Sequence, residues 1–215
     1  MMFIFSNLAI SLDGKIALQD RSHFPLGTDV DRKQMQVLRK RCDAIVMGAS
    51  TIRSFKKPCL VRDAKWKTQP ANVLISSKLA KLSPQWPFFT DKRIRRILFV
   101  KSTPPAQRLK VFAHTSEIIL LKKNVPTAIQ IIRELKKRGF KNILVEGGGE
   151  VMWNFVSQNL IQEYHITVTP KILGGDKNPT LVDGPGFQAN EILNLRFKNC
   201  RRVKNELFLV YQRVY

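Results

Sequence analysis

The chain has 215 residues, 44% of them apolar, and 37 Lys and Arg stand against 16 Asp and Glu for a net charge of +21. This suits one globular domain over 1–215 with its own core, and no apolar run is long enough to cross a membrane. The charge favours anionic partners, yet the basic residues come in scattered pairs and triplets with no interleaved aromatics, which argues against a nucleic-acid surface.

Phe3–Ala9 reads as a first strand, since the apolar N-terminus lacks the basic region and cleavage site of a signal peptide. Thr28 is placed to cap a helix running to Arg41, with Asp31 completing a capping box. Cys42, Cys59 and Cys200 share no metal-ligand spacing and form no disulfide framework, so no metal is expected and a reducing cytoplasm is the simplest setting. Ala44–Met47, Val73–Ser76, Ile97–Val100, Ile118–Leu121 and Ile143–Val145 are short, continuous apolar runs, the pattern of strands buried on both faces. Between the first two of these, 54–70 is rich in Lys and Pro and reads as a loop. A second helix starts after Pro126 with Thr127 as cap, carries the stripe Ala128, Ile131, Ile132 and Leu135, and ends at Gly139. Tyr164–Ile172, Leu195–Val203 and Leu207–Val214 read as longer strands, the last two joined as a hairpin. The fold class is therefore α/β, with a mostly parallel central sheet, flanking helices and antiparallel C-terminal strands.

The segment Val145-Glu146-Gly147-Gly148-Gly149, followed by Val151, Phe155 and Val156, is strand, glycine turn and third helix. Glycines admit positive φ and close approach of a ligand, and the free N–H groups of a helix start face an anion. The spacing matches neither a dinucleotide fingerprint nor a P-loop, and a bare strand–helix turn is the plain alternative. Glu146 either accepts hydrogen bonds from a polar substrate or simply ends the strand at the surface. Asp13-Gly14 is an ordinary turn, with Asp13 also a candidate proton donor. His23, His114 and His165 are dispersed and form no triad; His165 suits a buried strand position.

Ser6 to Ala17, containing Ser11-Leu12-Asp13-Gly14-Lys15, together with Cys42 to Thr51, Val145 to Gly149 and Val168-Thr169-Pro170-Lys171-Ile172-Leu173-Gly174-Gly175, resembles the ordered motifs of the riboflavin-biosynthesis pyrimidine reductases. These have a dihydrofolate-reductase-like fold and occur alone or as the C-terminal domain of bacterial deaminase–reductases. The resemblance implies a homodimer that uses NADPH to reduce the ribosylamino group of a pyrimidine ribose 5-phosphate to ribitylamino, the 5-amino-6-(5-phosphoribosylamino)uracil reductase type. It implies that Thr51 contacts the cofactor and that Ile75, Ser76, Ser77 and Lys78 meet its adenosine end, Ser77 and Lys78 suiting a 2′-phosphate. Gly147, Gly148 and Gly149 would hold the pyrophosphate. Glu146, Asn7 and Gly27 would line the substrate pocket, with Arg62 for the substrate phosphate. Glu146 and Asp13 are the two carboxyl groups carried forward as catalytic candidates. Lys56-Lys57-Pro58 stands where that family usually has Asp-Asp-Pro, and no zinc-deaminase motif is present. Two other readings are a related reductase acting on another pterin or pyrimidine, and a basic nucleic-acid-binding domain without activity.

Overall fold

The computed structural model describes residues 2–22, 24–63, 65–66 and 68–214; His23 lies outside the described residues. The chain runs β1 (Phe3–Ile10), α1 (Asp29–Arg39), β2 (Ala44–Gly48), α2 (Ala49–Phe55), β3 (Ala71–Ser76), α3 (Pro87–Thr90), β4 (Arg96–Val100), α4 (Ala106–Ala113) and β5 (Glu117–Leu120). It continues with α5 (Thr127–Lys137), β6 (Asn142–Val145), α6 (Gly149–Val156), β7 (Glu163–Val168), β8 (Leu195–Val203) and β9 (Glu206–Arg213). The strands form one sheet ordered β5-β4-β3-β2-β6-β1-β7-β9-β8. From β5 to β7 every pairing is parallel; β9 runs antiparallel to β7, and β8 antiparallel to β9.

The apolar strand runs are apolar because the sheet is covered on both faces. Alternate residues of each strand point to opposite sides. Ile4, Val46, Val73, Ile97, Ile143 and Val145 pack under α5 and α6, against Ala128, Ile131, Leu135, Met152 and Phe155. Phe5, Ile45, Met47, Leu74, Leu98 and Leu144 pack against Leu38, Ile52, Phe88, Phe89 and Phe112 of α1 to α4. Each such aliphatic side chain taken fully out of water contributes about 2 kcal/mol before entropy is counted.

Several local expectations are corrected. Thr28 does cap α1, accepting from the Val30 N–H at 3.2 Å, but its own N–H donates to Glu206 at 2.8 Å and its hydroxyl donates to the same carboxylate at 2.6 Å. Glu206, at the start of β9, takes the part assigned to Asp31, because it comes close in space though 178 residues away in sequence. Thr127 is the first helical residue of α5, with Pro126 as N-cap. The strand expected over Tyr164–Ile172 stops at Val168. Helices α2, α3 and α4 are short and lack the periodicity that exposed the others.

The loop after α2 is held tightly despite its plain sequence. Asn72 bonds both the N–H and the carbonyl of Cys59, and Gln69 does the same for Val61. Gln36 accepts from the Arg62 N–H and donates to the Leu60 carbonyl. Three side-chain amides thus satisfy a backbone that has no strand beside it.

Candidate functional site

Two neighbourhoods sit at the carboxyl ends of the strands, where ligands of open α/β sheets bind. The first is a cleft of about 320 Å³ between the start of α2 and the start of α6. Its walls include Thr51, Ile75, Ser76, Ser77, Gly148 and Gly149, so six of the expected cofactor residues are brought together. Lys78 is exposed and does not line the cleft; Lys101, at the end of neighbouring β4, does. The Ser76 hydroxyl accepts from the Leu79 N–H at 3.0 Å and so builds the turn after β3. Arg21 and Arg53 also face the cleft, and neither they nor Lys101 forms an ion pair among the described residues. Arg53 donates to the Ser50 hydroxyl at 2.8 Å, and Ser54 fastens the Arg21 carbonyl at 2.7 Å. Part of the +21 charge gathers here: three cations outside any ion pair among the described residues, on walls that also carry Glu150 and Asp183.

The three glycines of the turn do different jobs. None has positive φ, so steric room and not dihedral freedom explains them. A Cβ on Gly147 would overlap Val151, and one on Gly149 would overlap Asp183 and the Thr180 carbonyl. Gly148, the N-cap of α6, would meet nothing and opens onto the cleft. Asp183 is itself fixed, accepting from the Thr180 N–H at 2.9 Å and hydroxyl at 2.6 Å. The first N–H groups of α6 have no intrahelical acceptor, and with the adjacent arginines they suit a phosphate-bearing ligand.

The second neighbourhood lies on the α1 face of the sheet. Glu146 belongs to it and not to the glycine cleft. Its carboxylate is gripped by the buried Arg39 guanidinium, Nε at 2.8 Å and the terminal nitrogen at 2.5 Å, each side chain 9% exposed. Burial works against the Arg39 charge, but Glu146 outweighs it and raises the pKa. Arg39, expected as a solvated helix-end cation, is instead the partner that lets a carboxylate sit inside. Cys59 lies beside this pair, and burial pushes its thiol up to about 12, which leaves it protonated and inert.

Asn7 occupies the same face. Strand alternation puts it with Phe5, one step beyond the Ser6–Val145 pair and so level with Glu146, and opposite His165 on its other side. Thr167 pairs with Ala9 on that face. Asp31, from the first turn of α1, lies near enough to Thr167 for the hydroxyl to favour its ionised form. Gly27 is glycine because a Cβ there would overlap the Asp31 carboxylate. Burial raises the Asp31 pKa, the Thr167 hydrogen bond opposes this, and Glu206 and Glu146 add to the rise.

Asp13 stands in the turn expected after β1. It is exposed, and its oxygens accept from the Leu173 N–H at 3.1 Å and the Gly174 N–H at 2.7 Å. The Ser11 hydroxyl and then these N–H groups hold its carboxyl at about 2. A group ionised at neutral pH has no proton to give, so Asp13 staples the 171–175 segment to the turn after β1. Leu12 N–H to the Lys171 carbonyl and Ile16 N–H to the Pro179 carbonyl complete that clasp. Two motifs far apart in sequence are one structural unit. Lys171 then ties the loop before α1 by donating to the Leu26 carbonyl. Arg62 is exposed on the outer loop and stands in neither neighbourhood's polar centre.

His165 is buried and bonds Glu163 at 2.6 Å; Lys198 reaches the same carboxylate at 2.6 Å and Arg41 at 3.3 Å. Burial opposes ionisation of Glu163, but Lys198 and His165 prevail and hold it at about 2. This network anchors β8 at its bulge and leaves His165 committed to structure. Sequence reasoning missed Arg21, Arg53, Lys101, Asp183, Asp31, Arg39 and Thr167. Each is ordinary in its local context, and no periodicity or spacing marks it out.

Residues 2–209 match the family described as the RibD C-terminal domain. The chain is 25% identical over 213 residues to the 2,5-diamino-6-ribosylamino-4(3H)-pyrimidinone 5′-phosphate reductase of Archaeoglobus fulgidus, covering 95% of this chain and 92% of that protein. It is 29% identical over 196 residues to the protein of the same name from Aquifex aeolicus, covering 88% and 87%. Among solved structures, a pyrimidine reductase-like protein from Corynebacterium diphtheriae superposes with a TM-score of 0.86 at 20% identity, over 100% of this chain and 92% of that one. That likeness concerns the fold.

Proposed function

From the premise that the chain belongs to the RibD C-terminal domain family, we propose that it is the NADPH-dependent reductase of a ribosylaminopyrimidine 5′-phosphate in riboflavin biosynthesis. The observation that carries the reading is a basic cleft at the strand ends beside Gly148 and Gly149, with a separate cluster of polar side chains around the Arg39–Glu146 pair. The cleft suits a dinucleotide: Gly148, Gly149 and the N–H groups of α6 for the diphosphate, Arg21 and Arg53 as countercharges, and Ser77 with Lys101 for a 2′-phosphate. Nicotinamide supplies a hydride when bound; the protein's work is to orient and to exclude water. Asn7, Thr167, Asp31 and the Arg39–Glu146 pair hold the pyrimidine from the α1 face. With Asp13 assigned to structure, the proton that the ribosylamino carbon's neighbouring nitrogen needs comes from solvent or a pocket group.

The edge strand β8 leaves Leu195 and Phe197 exposed, and an uncovered edge of this length suits pairing with a second copy as a homodimer. Among the described residues no helix is long and apolar enough to cross a membrane, and the three thiols are unpaired, which fits work in the reducing cytoplasm. The decisive assay follows nicotinamide oxidation at 340 nm with the ribosylaminopyrimidine 5′-phosphate as acceptor, and dihydrofolate and NADH as comparisons. Turnover of the pyrimidine with NADPH is expected; turnover of dihydrofolate alone, or none with any acceptor, sinks the proposal.

A further inference from the structure

A second hollow, of about 420 Å³, opens beside the cleft along the flank of α2. Ser50, Arg53 and Ser54, three and four residues apart, share one side of that helix and line it. Asp20, Arg21 and Ser22 border it from the loop that follows β1, and Lys56 from the helix end. Arg21 and Lys56 both lie in the left-handed region, with φ of 59° and 57°. A residue with a Cβ keeps that conformation where its surroundings enforce it. Here the Ser54 hydroxyl donates to the Arg21 carbonyl at 2.7 Å. The Lys56 N–H donates to the Ile52 carbonyl at 2.8 Å, and the Lys56 carbonyl accepts from the Phe88 N–H at 3.0 Å. The Lys56 ammonium stands 5.7 Å from the centre of the Trp86 ring, and Arg53 donates to the Ser50 hydroxyl at 2.8 Å. Three cations thus meet one acid, an excess of two positive charges. An oxygen of that acid, Asp20, is taken by the N–H and hydroxyl of Ser22, and none of the three cations forms an ion pair among the described residues. The preference of a helix end for a cation accounts for Lys56 alone; it does not bring two arginines to the same hollow.

We infer that this hollow is a second phosphoryl-anion site, receiving a phosphate monoester or free phosphate beside whatever occupies the cleft. A phosphate of either kind carries up to about two negative charges at neutral pH and only accepts hydrogen bonds from such a lining. Guanidinium forks match it two bonds at a time, and an ammonium adds a point charge. The Ser50 hydroxyl, which accepts from Arg53, keeps its own proton to donate. Arg21 and Arg53 line both cleft and hollow, and an arginine has donors enough to serve a ligand on each side. Lys56 lines the hollow alone. It belongs to the Lys56-Lys57-Pro58 stretch that stands where the resembling reductases usually carry acids, so this chain's own residue makes the hollow basic. Two sources have the required chemistry, the 5′-phosphate of the proposed substrate and free inorganic phosphate. The site itself does not depend on the reductase reading.

The test is a titration of inorganic phosphate into isotope-labelled protein at constant ionic strength, with amide NMR shifts followed at 20–22 and 50–56 and, for comparison, at 147–150. Saturable shifts are expected at 20–22 and 50–56. Lys56→Asn should weaken that binding about tenfold, the loss of one charge-assisted hydrogen bond. Asparagine accepts the left-handed backbone well, so the turn is kept. Lys57→Asn removes the same charge one residue outside the hollow and should leave the affinity as it was. The shifts should also persist when the titration is repeated at saturating NADPH. A last arm replaces inorganic phosphate with the ribosylaminopyrimidine 5′-phosphate, without nucleotide. If it moves the same amides, and less tightly in Lys56→Asn, the occupant is the substrate's phosphate; if it leaves them unmoved, the occupant is free phosphate. Absence of saturable shifts at 20–22 and 50–56 with inorganic phosphate overturns the inference. So do equal losses in the two variants, or shifts that NADPH abolishes. A protein that binds phosphate in the hollow but no NADPH keeps this site and loses the reductase reading instead.

Discussion

The two sides of the glycine turn are built on opposite electrostatic plans. The cleft side has cations that form no ion pair among the described residues: Arg21, Arg53 and Lys101 around an open Gly148. The α1 side has carboxylates, of which one is neutralised internally by Arg39 and one, Asp31, is not. Adjacent residues, Glu146 and Gly147, belong to different sides because the strand's alternation continues to its last residue and the helix begins immediately after. The lesson is that net charge says little about a site. A chain of +21 still buries carboxylates beside its glycine turn, and the excess positive charge matters where it forms no ion pair.

This comparison can be broken at three points. The largest effect is expected on the α1 side from Arg39→Ala. It strands the Glu146 carboxylate in a buried position and should destabilise the fold by about 3–5 kcal/mol in urea unfolding. The double variant Arg39→Met with Glu146→Leu should recover most of that loss, since two apolar groups leave no orphan charge. If Arg39→Ala unfolds at the wild-type midpoint, the pair does not hold the pocket together.

Next comes Gly148→Val on the cleft side. A Cβ there has no protein atom within 4 Å, so the fold and its thermal midpoint should be kept. It would fill the space beside the α6 N–H groups, and NADPH affinity by calorimetry should fall about a hundredfold, near 2.7 kcal/mol. Gly149→Val is the control, because its Cβ runs into Asp183 and Thr180 and should lower stability as well. Unchanged affinity in Gly148→Val would remove the cofactor from this cleft.

The smallest effect is on stability against pH. The folded Asp31 pKa is raised above its unfolded value, so the folded state binds that proton more tightly. Its contribution favours the fold at low pH and is lost as pH rises from the ordinary aspartate range through the raised value. Asp31→Asn has no such proton. At pH 7 the variant should therefore be as stable as wild type or more so, by about 1 kcal/mol or less, with the gap closing below about pH 4. A variant that is less stable at every pH would make Asp31 a structural residue.

Much of this protein could be read before any tertiary contact was known. Continuous apolar runs declare strands buried on both faces, and the nine strands read from the sequence all appear, with the one read to Ile172 ending at Val168, since such patterns depend only on neighbours in sequence. The stripe of α5 and the glycine stop after it are equally local. The turn at 147–149 announced itself as a close approach, although the reason proved to be Val151, Asp183 and an open wall, and not positive φ.

What the sequence could not decide was pairing across distance. Glu206 capping α1 in place of Asp31, Arg39 closing on Glu146 and Asp13 holding Leu173 and Gly174 join residues 107 to 178 positions apart. A charge's role depends on which opposite charge and how much water surround it, and both are set only when the sheet brings β1, β6, β7 and α1 together. The glycine turn and the order of its companion motifs were therefore legible in the chain. Which carboxylate has a cation beside it, and which has none, was decided by the tertiary structure alone.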